Sequence, residues 1–278
     1  MSKQIPISFE FFPTKTDAGA EKLITVHKEL QLLSPEFFSV TFGAGGSTRE
    51  RTLSTLNDFN GKGTPVAPHL SCIGDSKERI AELLDLYKSQ GIDRIVALRG
   101  DLPSGQVGLG ELPYAQDLVR FIREHSGDHF HIEVAAYPEM HPQADSFDQD
   151  IQRFCEKANA GANAALTQFF FNPDAYFYFV DRIQREGVNI PVAPGIMPIT
   201  NASNLIRFAD GTGAEVPRWI RKQLATYGDD TASIKAFGHE VIVKLCERLI
   251  AGGAPSLHFY TMNTTDPTRQ LVLDLGLA

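Results

Sequence analysis

The sequence predicts an α/β protein: a single (β/α)8 (TIM) barrel over residues 1–278, with extra helical turns between the seventh and eighth strands. Three observations carry this. Eight short apolar runs, at 5–11, 37–41, 65–70, 94–98, 130–136, 164–167, 191–196 and 256–260, alternate with longer segments of helical period. Several runs, such as FFSV and IVAL, are near-continuous apolar stretches, as suits strands buried on both faces of a parallel sheet. The 278-residue length matches one barrel of roughly 250 residues. Parallel neighbours need crossover connections, so strict strand–helix alternation implies a parallel sheet. Eight such units favour closure over an open sheet.

The helical segments follow in order. Segment 18–33 places Leu23, Val26, Leu30 and Leu33 on one stripe. In 76–90, Ile80, Leu83, Leu84 and Tyr87 recur at i, i+3, i+4 and i+7. Asp75 or Ser76 can cap its first turn, and Gly91 follows its end. Segments 48–59, 114–125, 147–160, 174–186 and 231–251 also read as helices, and a last one starts near Pro267. The stretch 201–227 holds the extra turns. No linker, charge block or composition shift marks a second domain.

Composition narrows the function. With 26 Lys+Arg against 34 Asp+Glu the net charge is −8, which argues against a nucleic-acid-binding surface. No apolar run approaches the ~18 residues of a membrane span. The N-terminus lacks a secretory pattern, because Ser8 and Glu10 interrupt its apolar stretch. A soluble chain without an address is expected. Cys72, Cys155 and Cys246 are scattered and never within CxxC reach, so neither a zinc site nor a disulfide framework is expected. They read as free thiols of a reducing cytoplasm.

In such a barrel the chemistry sits at the C-terminal strand ends. Just past the runs stand Glu10, Thr41, His69, Arg99 with Gly100 and Asp101, Tyr137 with His141, Gln168, and Tyr260. Glu10 lies between Phe9, Phe11 and Phe12. Desolvation there should raise its pKa and suit it as a general acid; pairing with an Arg or Lys, or pointing at water, is the alternative. His69 reads equally as a core histidine, and Arg99 with Asp101 as an ion pair at a loop entrance. Gln168, beside three phenylalanines, needs partners if buried. The stretch GAGGST (43–48) could turn backbone N–H groups toward a phosphate or simply form a tight turn. It matches neither the dinucleotide fingerprint nor the P-loop.

SFEFFP (8–13), SVTFGAGGSTR (39–49), APHLSC (67–72), IVALRGDLP (95–103), AAYPEMHP (135–142), AGANAALTQFFF (160–171), PGIMPIT (194–200) and LHFYTMN (257–263) occur in this order. Together they resemble the bacterial methylenetetrahydrofolate reductase family nearly end to end. The resemblance implies one FAD-binding barrel domain over 1–278, with NADH or NADPH as co-substrate. It implies reduction of 5,10-methylenetetrahydrofolate to 5-methyltetrahydrofolate by a ping-pong scheme, in the methionine branch of one-carbon metabolism. It also implies a cytoplasmic homo-oligomer without the regulatory domain of eukaryotic relatives.

Carried over by position, Glu10 looks like the acid that opens the folate's five-membered ring. Asp101 is similar to the aspartate beside pterin and flavin, and Gln168 to a pterin-binding glutamine. Thr41, Phe42, His69, Arg99, Gly100, Asp101, Tyr114, Ala115, Tyr137, His141, Ala144, Asp150 and Lys157 match flavin-contact positions. A side chain at Gly100 is expected to block the cofactor's approach. Ala202, Thr264 and Arg153 depart from the family pattern. Two other readings stay open: a flavin-dependent barrel dehydrogenase of an amino acid such as proline, and a non-catalytic binding barrel.

Overall fold

A computed structural model describes residues 5–42, 46–101 and 108–278, with the side chains of 46–49 left aside. The strands are β1 (Ile7–Phe11), β2 (Phe37–Val40), β3 (Val66–Ser71), β4 (Arg94–Leu98), β5 (His131–Ala136), β6 (Ala164–Thr167), β7 (Val192–Ala193), β8 (Gly195–Ile196) and β9 (Leu257–Tyr260). All pair in parallel, in the order β7-β6-β5-β4-β3-β2-β1-β9-β8. The eight sequence runs are all strands. The seventh, read as one strand, is two: Pro194 has no N–H for a ladder and divides it. Its first half pairs with β6 and its second with β9, so this broken strand closes the ring.

Helices α1 (Asp17–Gln31), α2 (Gly46–Phe59), α3 (Lys77–Ser89), α4 (Ala115–Ser126), α5 (Phe147–Asn159) and α6 (Pro173–Arg185) follow the first six strands. The helical turns expected over 201–227 form α7 (Ala202–Thr212) and α8 (Arg218–Tyr227). Then come α9 (Thr231–Ala251), β9 and α10 (Thr268–Asp274). Starts are capped as the side chains allow: Thr16 accepts from Gly19 N–H, and Asn201 from Asn204 N–H. Of the two residues offered for α3, Ser76 is the cap, accepting from Arg79 N–H. No described helix is long and apolar enough to cross a membrane.

Alternation along each strand sorts side chains into two compartments. Ile7, Phe9 and Phe11 of β1, Phe38 and Val40 of β2 and Phe259 of β9 join the large core that includes the helices. Facing the other way, Phe37, Ala67, Val96, Leu166 and Ala193 fill the barrel interior. Arg94 bridges the buried Glu133 (2.9 Å) and Glu36 (2.7 Å), at the N-terminal end of β4 and so away from the strand ends that hold the site.

His27 of α1 is 2% exposed, stacks on Phe59 at 4.1 Å, and its Nε2 has no hydrogen-bond partner among the described residues. Burial, helped by Lys62 and Lys28, pushes its pKa down from 6.5 to about 4. The unfolded chain therefore binds this proton more tightly, and stability falls as pH drops from about 6.5 toward 4. At about 1.4 kcal/mol per pKa unit the loss approaches ~3 kcal/mol. Urea unfolding of wild type and His27→Phe between pH 7.5 and 4.5 is expected to show a flatter profile in the variant; parallel profiles would remove His27 from the acid response.

Candidate active site

Glu10 points into the barrel from the end of β1, because Phe9 and Phe11 on either side point out. Register places Ser8 opposite His258 and Glu10 opposite Tyr260. The Nε2 atoms of His69 and His258 lie 3.3 and 3.5 Å from the same Glu10 Oε2, and Ser8 Oγ is 2.7 Å from His258 Nδ1. Burial alone would raise the Glu10 carboxyl; the His69 charge and the contacts with His258 outweigh it and draw it down to about 2. This corrects the raised pKa expected from the sequence. The phenylalanines that were to desolvate Glu10 belong largely to the opposite face of its strand, and two imidazoles occupy its own.

The loop after β9 holds this strand end in place. Thr261 Oγ1 donates to Glu10 O at 2.7 Å. Asn263 donates through Nδ2 to Phe12 O (2.7 Å) and accepts from Phe12 N–H (3.0 Å), continuing the strand pairing with its side chain. Both Met262 and Asn263 sit at positive φ.

Above Glu10 opens a cavity of about 340 Å³ lined by Thr41, His69, Tyr137, Gln168 and Tyr260, with Phe208 and Thr212 of α7 across from the strand ends. Gln168 Oε1 accepts from Phe169 N–H at 3.0 Å, which turns its NH2 into the free-facing donor. Tyr260 OH donates to Thr167 O at 2.6 Å. Gly195 makes room for that contact: a β-carbon there would meet Thr167 O at 2.2 Å and the Tyr260 ring at 2.7 Å.

A second cavity of about 240 Å³ adjoins the first and shares Leu98, Ala135 and Tyr137 with it. Arg99, Gly100, Asp101, Tyr114, Ala115, His141, Asp150, Arg153 and Lys157 line it. Its loops are tightly tied. Asp150 Oδ2 accepts His141 N–H at 2.8 Å, His141 Nδ1 accepts Gln143 N–H at 3.0 Å, and Arg99 reaches Gln143 Oε1 at 2.6 Å. Lys157 crosses beneath to Ala135 O at 2.5 Å, and burial lowers its pKa to about 8. Burial and the charges of Asp101 and Asp150 raise the Tyr137 hydroxyl.

Most residues singled out in the sequence thus meet here. Thr41, His69 and Gln168 join Glu10 in the first cavity, and Tyr137 belongs to both. Phe42 and Ala144 line neither; Ala144 only closes a turn onto His141 O at 2.9 Å. Gly100 does need its φ of +83°, but a β-carbon there would strike Ser71 Oγ at 1.8 Å. The expected obstruction of a cofactor is therefore a collision behind the loop. Residues 43–45 of GAGGST and 102–103 of RGDLP lie outside the described residues. Sequence reasoning missed His258 and Ser8, although period-two counting back from Tyr260 and Glu10 places both on the inner face. No group of three or more His, Cys, Asp or Glu side chains arranged to hold a metal ion occurs among the described residues.

A flavin dinucleotide needs an apolar wall for its ring system and cations or N–H donors for its phosphates. The shared Leu98–Ala135–Tyr137 surface is mostly apolar, and Arg99, Arg153, Lys157 and the start of α4 offer cationic groups and N–H donors for phosphate. The donor set fits.

Fold and site define a barrel enzyme with an acid–base cluster at its mouth and a neighbouring groove suited to an anionic cofactor. The family model described as "Methylenetetrahydrofolate reductase" matches residues 1–276. The chain belongs to that family, whose members are oxidoreductases. It is 38% identical to 5,10-methylenetetrahydrofolate reductase of Escherichia coli (strain K12) over 99% of this chain and 92% of the relative. The namesake of Pectobacterium carotovorum subsp. carotovorum is 39% identical over 99% and 91%. "Methylenetetrahydrofolate reductase (NADH) 1" of Arabidopsis thaliana is 35% identical over 99% of this chain and 49% of its own length. Among solved structures, an uncharacterized Clostridium thermocellum protein that binds two copies of 5-methyl-5,6,7,8-tetrahydrofolic acid superposes with a TM-score of 0.68. It covers 93% of this chain and 89% of its own at 15% identity, a likeness of fold alone.

Proposed function

We propose that this chain is a flavoprotein that reduces 5,10-methylenetetrahydrofolate to 5-methyltetrahydrofolate with electrons from NADH or NADPH, in two half-reactions at one site. The observation that carries the reading is the inward Glu10, set between His69 and His258 on the floor of a cavity continuous with the cationic groove. A bound FAD would supply the chemistry the side chains lack, taking hydride from the dinucleotide and passing it to the methylene carbon.

The chain's own residues do the rest. Arg99, Gly100, Tyr114, Ala115, His141, Asp150 and Lys157 would hold the cofactor in the groove, with Thr41 and Tyr137 at its inner end. Gln168 offers its NH2 to the pterin. The folate's bridging nitrogen leaves poorly unless protonated, so ring opening to the 5-iminium cation needs an acid. Glu10 is the carboxyl placed for it. Its side chain retains 18% exposure, and a folate covering the cavity removes that water, pushing the carboxyl toward its protonated form. Asp101, at the groove's edge, places negative charge where it favours the cation. A cytoplasmic homo-oligomer belongs to the same proposal.

The purified chain is expected to carry flavin absorption bands, to bleach when NADH or NADPH is added without oxygen, and to recover colour on adding methylenetetrahydrofolate. Colourless protein that takes up no FAD would overturn the reading; bleaching without recovery would overturn its folate half.

A further inference from the structure

The wall of the substrate cavity formed by Phe208 and Thr212 belongs to α7, outside the nine-stranded sheet. Something must fix its distance from Gln168 and Tyr137 on the opposite side. A hydrogen bond spanning 76 residues of sequence does so: Glu139, in the loop after β5, accepts Glu215 N–H through Oε2 at 2.8 Å. Glu215 lies three residues beyond the end of α7, in the turn to α8. Beside it the Pro142 ring faces Gly213, whose φ of +75° ends the helix. The gap left between the two loops is about 10 Å³ and is lined by Tyr137, Gln168 and Thr212, the residues that also face the substrate cavity.

The carboxyl is an unusual choice of clasp. Burial raises its pKa to about 7, and the neighbouring Glu215 charge adds to the rise, against which the backbone N–H is the opposing contact. The Glu139 loop also carries Tyr137 and His141 of the cofactor groove, so the clasp joins both halves of the site to the helical insert.

We infer that Glu139 is a positioning residue: its hydrogen bond to Glu215 N–H clasps the α7–α8 turn onto the β5 loop and sets the width of the folate cavity. This rests on the folate-reducing function proposed above. The clasp touches no reacting atom, so its loss loosens substrate binding and leaves the proton and hydride steps alone. Interactions that bind ground and transition states equally act on KM with kcat unchanged. The bond is an exposed one, so the freed N–H can turn to water, and the loss is typically worth a few-fold to about a tenfold change in an equilibrium.

The test compares wild type, Glu139→Ala and Glu139→Gln, each with flavin content and thermal midpoint measured. Glu139→Ala is expected to raise KM for methylenetetrahydrofolate about tenfold with kcat within twofold. Glu139→Gln, whose amide oxygen still accepts from Glu215, is expected to restore most of it. Amide hydrogen exchange at Glu215, which needs no substrate, is expected to speed up about tenfold or more in Glu139→Ala alone. Unchanged exchange and KM would overturn the inference, as would equal loss in both variants or a fall in kcat that tracks lost flavin. A wild type without folate reduction would instead overturn the proposed function, leaving the clasp to be decided by exchange. If Glu139→Ala does not fold, a Glu215 amide that exchanges as fast in Glu139→Gln as in an unfolded peptide overturns it, and a protected one supports it.

Discussion

Glu10→Gln is expected to lower methylenetetrahydrofolate reduction by about 10²–10⁴-fold, the usual loss when a general acid is removed. Dinucleotide-driven flavin reduction should stay near the wild-type rate, because that half-reaction protonates no folate nitrogen. The substitution keeps the shape of a side chain that lies 3.3 Å from His69 and 3.5 Å from His258. It removes the carboxyl that can carry a proton and leaves the imidazoles in place. Stopped-flow measurement of the two half-reactions, with flavin content checked, separates the effects. Folate reduction at the wild-type rate would assign the proton to another donor. Glu10 also has a stability signature. Its folded pKa of about 2 lies below the ordinary 4.5, so the stabilisation is present above about pH 4.5 and is lost as pH falls toward 2. That window opens near pH 4.5, where most of the His27 effect has already been felt.

Asp101→Asn is expected to slow folate reduction by on the order of a hundredfold or more, as losing one preorganised electrostatic contact typically does. Asp101 lies exposed at the edge of the second cavity, and its charge helps raise the Tyr137 hydroxyl where the two cavities meet. On the proposed mechanism a negative charge there favours a cationic folate more than it affects hydride transfer from the dinucleotide. Flavin reduction should therefore suffer less. Equal, small effects on both half-reactions would leave Asp101 a structural role only.

The architecture was legible because strands of a closed parallel barrel are buried on both faces, which makes apolar runs such as IVAL plain against amphipathic helices. The break in the seventh run had its signal too: Pro194 stands inside it, and a proline cannot serve a central ladder from both edges. The site was legible as a set of strand-end residues, since Glu10, Thr41, His69, Arg99, Tyr137 and Gln168 do converge. Their partnerships were not. Ser8 and His258 come together only through the β1–β9 register, and no local pattern states which strands of a ring are neighbours. The same limit explains the Glu10 pKa. Phe9 and Phe11 are its neighbours in sequence and lie across the strand from it, whereas His69 and His258 are remote in sequence and within 3.5 Å. Glu139 was hidden for the same reason, its partner being a backbone N–H in a helical insert.

The pairing of β1 with β9 also bears on how the site comes into being during folding. Contacts between residues far apart in sequence form late, because a long loop must close before they contribute. Ser8 and His258 are separated by 250 positions, and the other contacts that hold the β1 end to the loop after the final strand span 251. The groove lined from Arg99 to Lys157 draws on residues much nearer one another. A chain emerging from the ribosome can therefore complete the Arg99–Lys157 groove well before Glu10 meets His258. The Glu10–His258 contact arrives with the last strand, when the barrel becomes a ring.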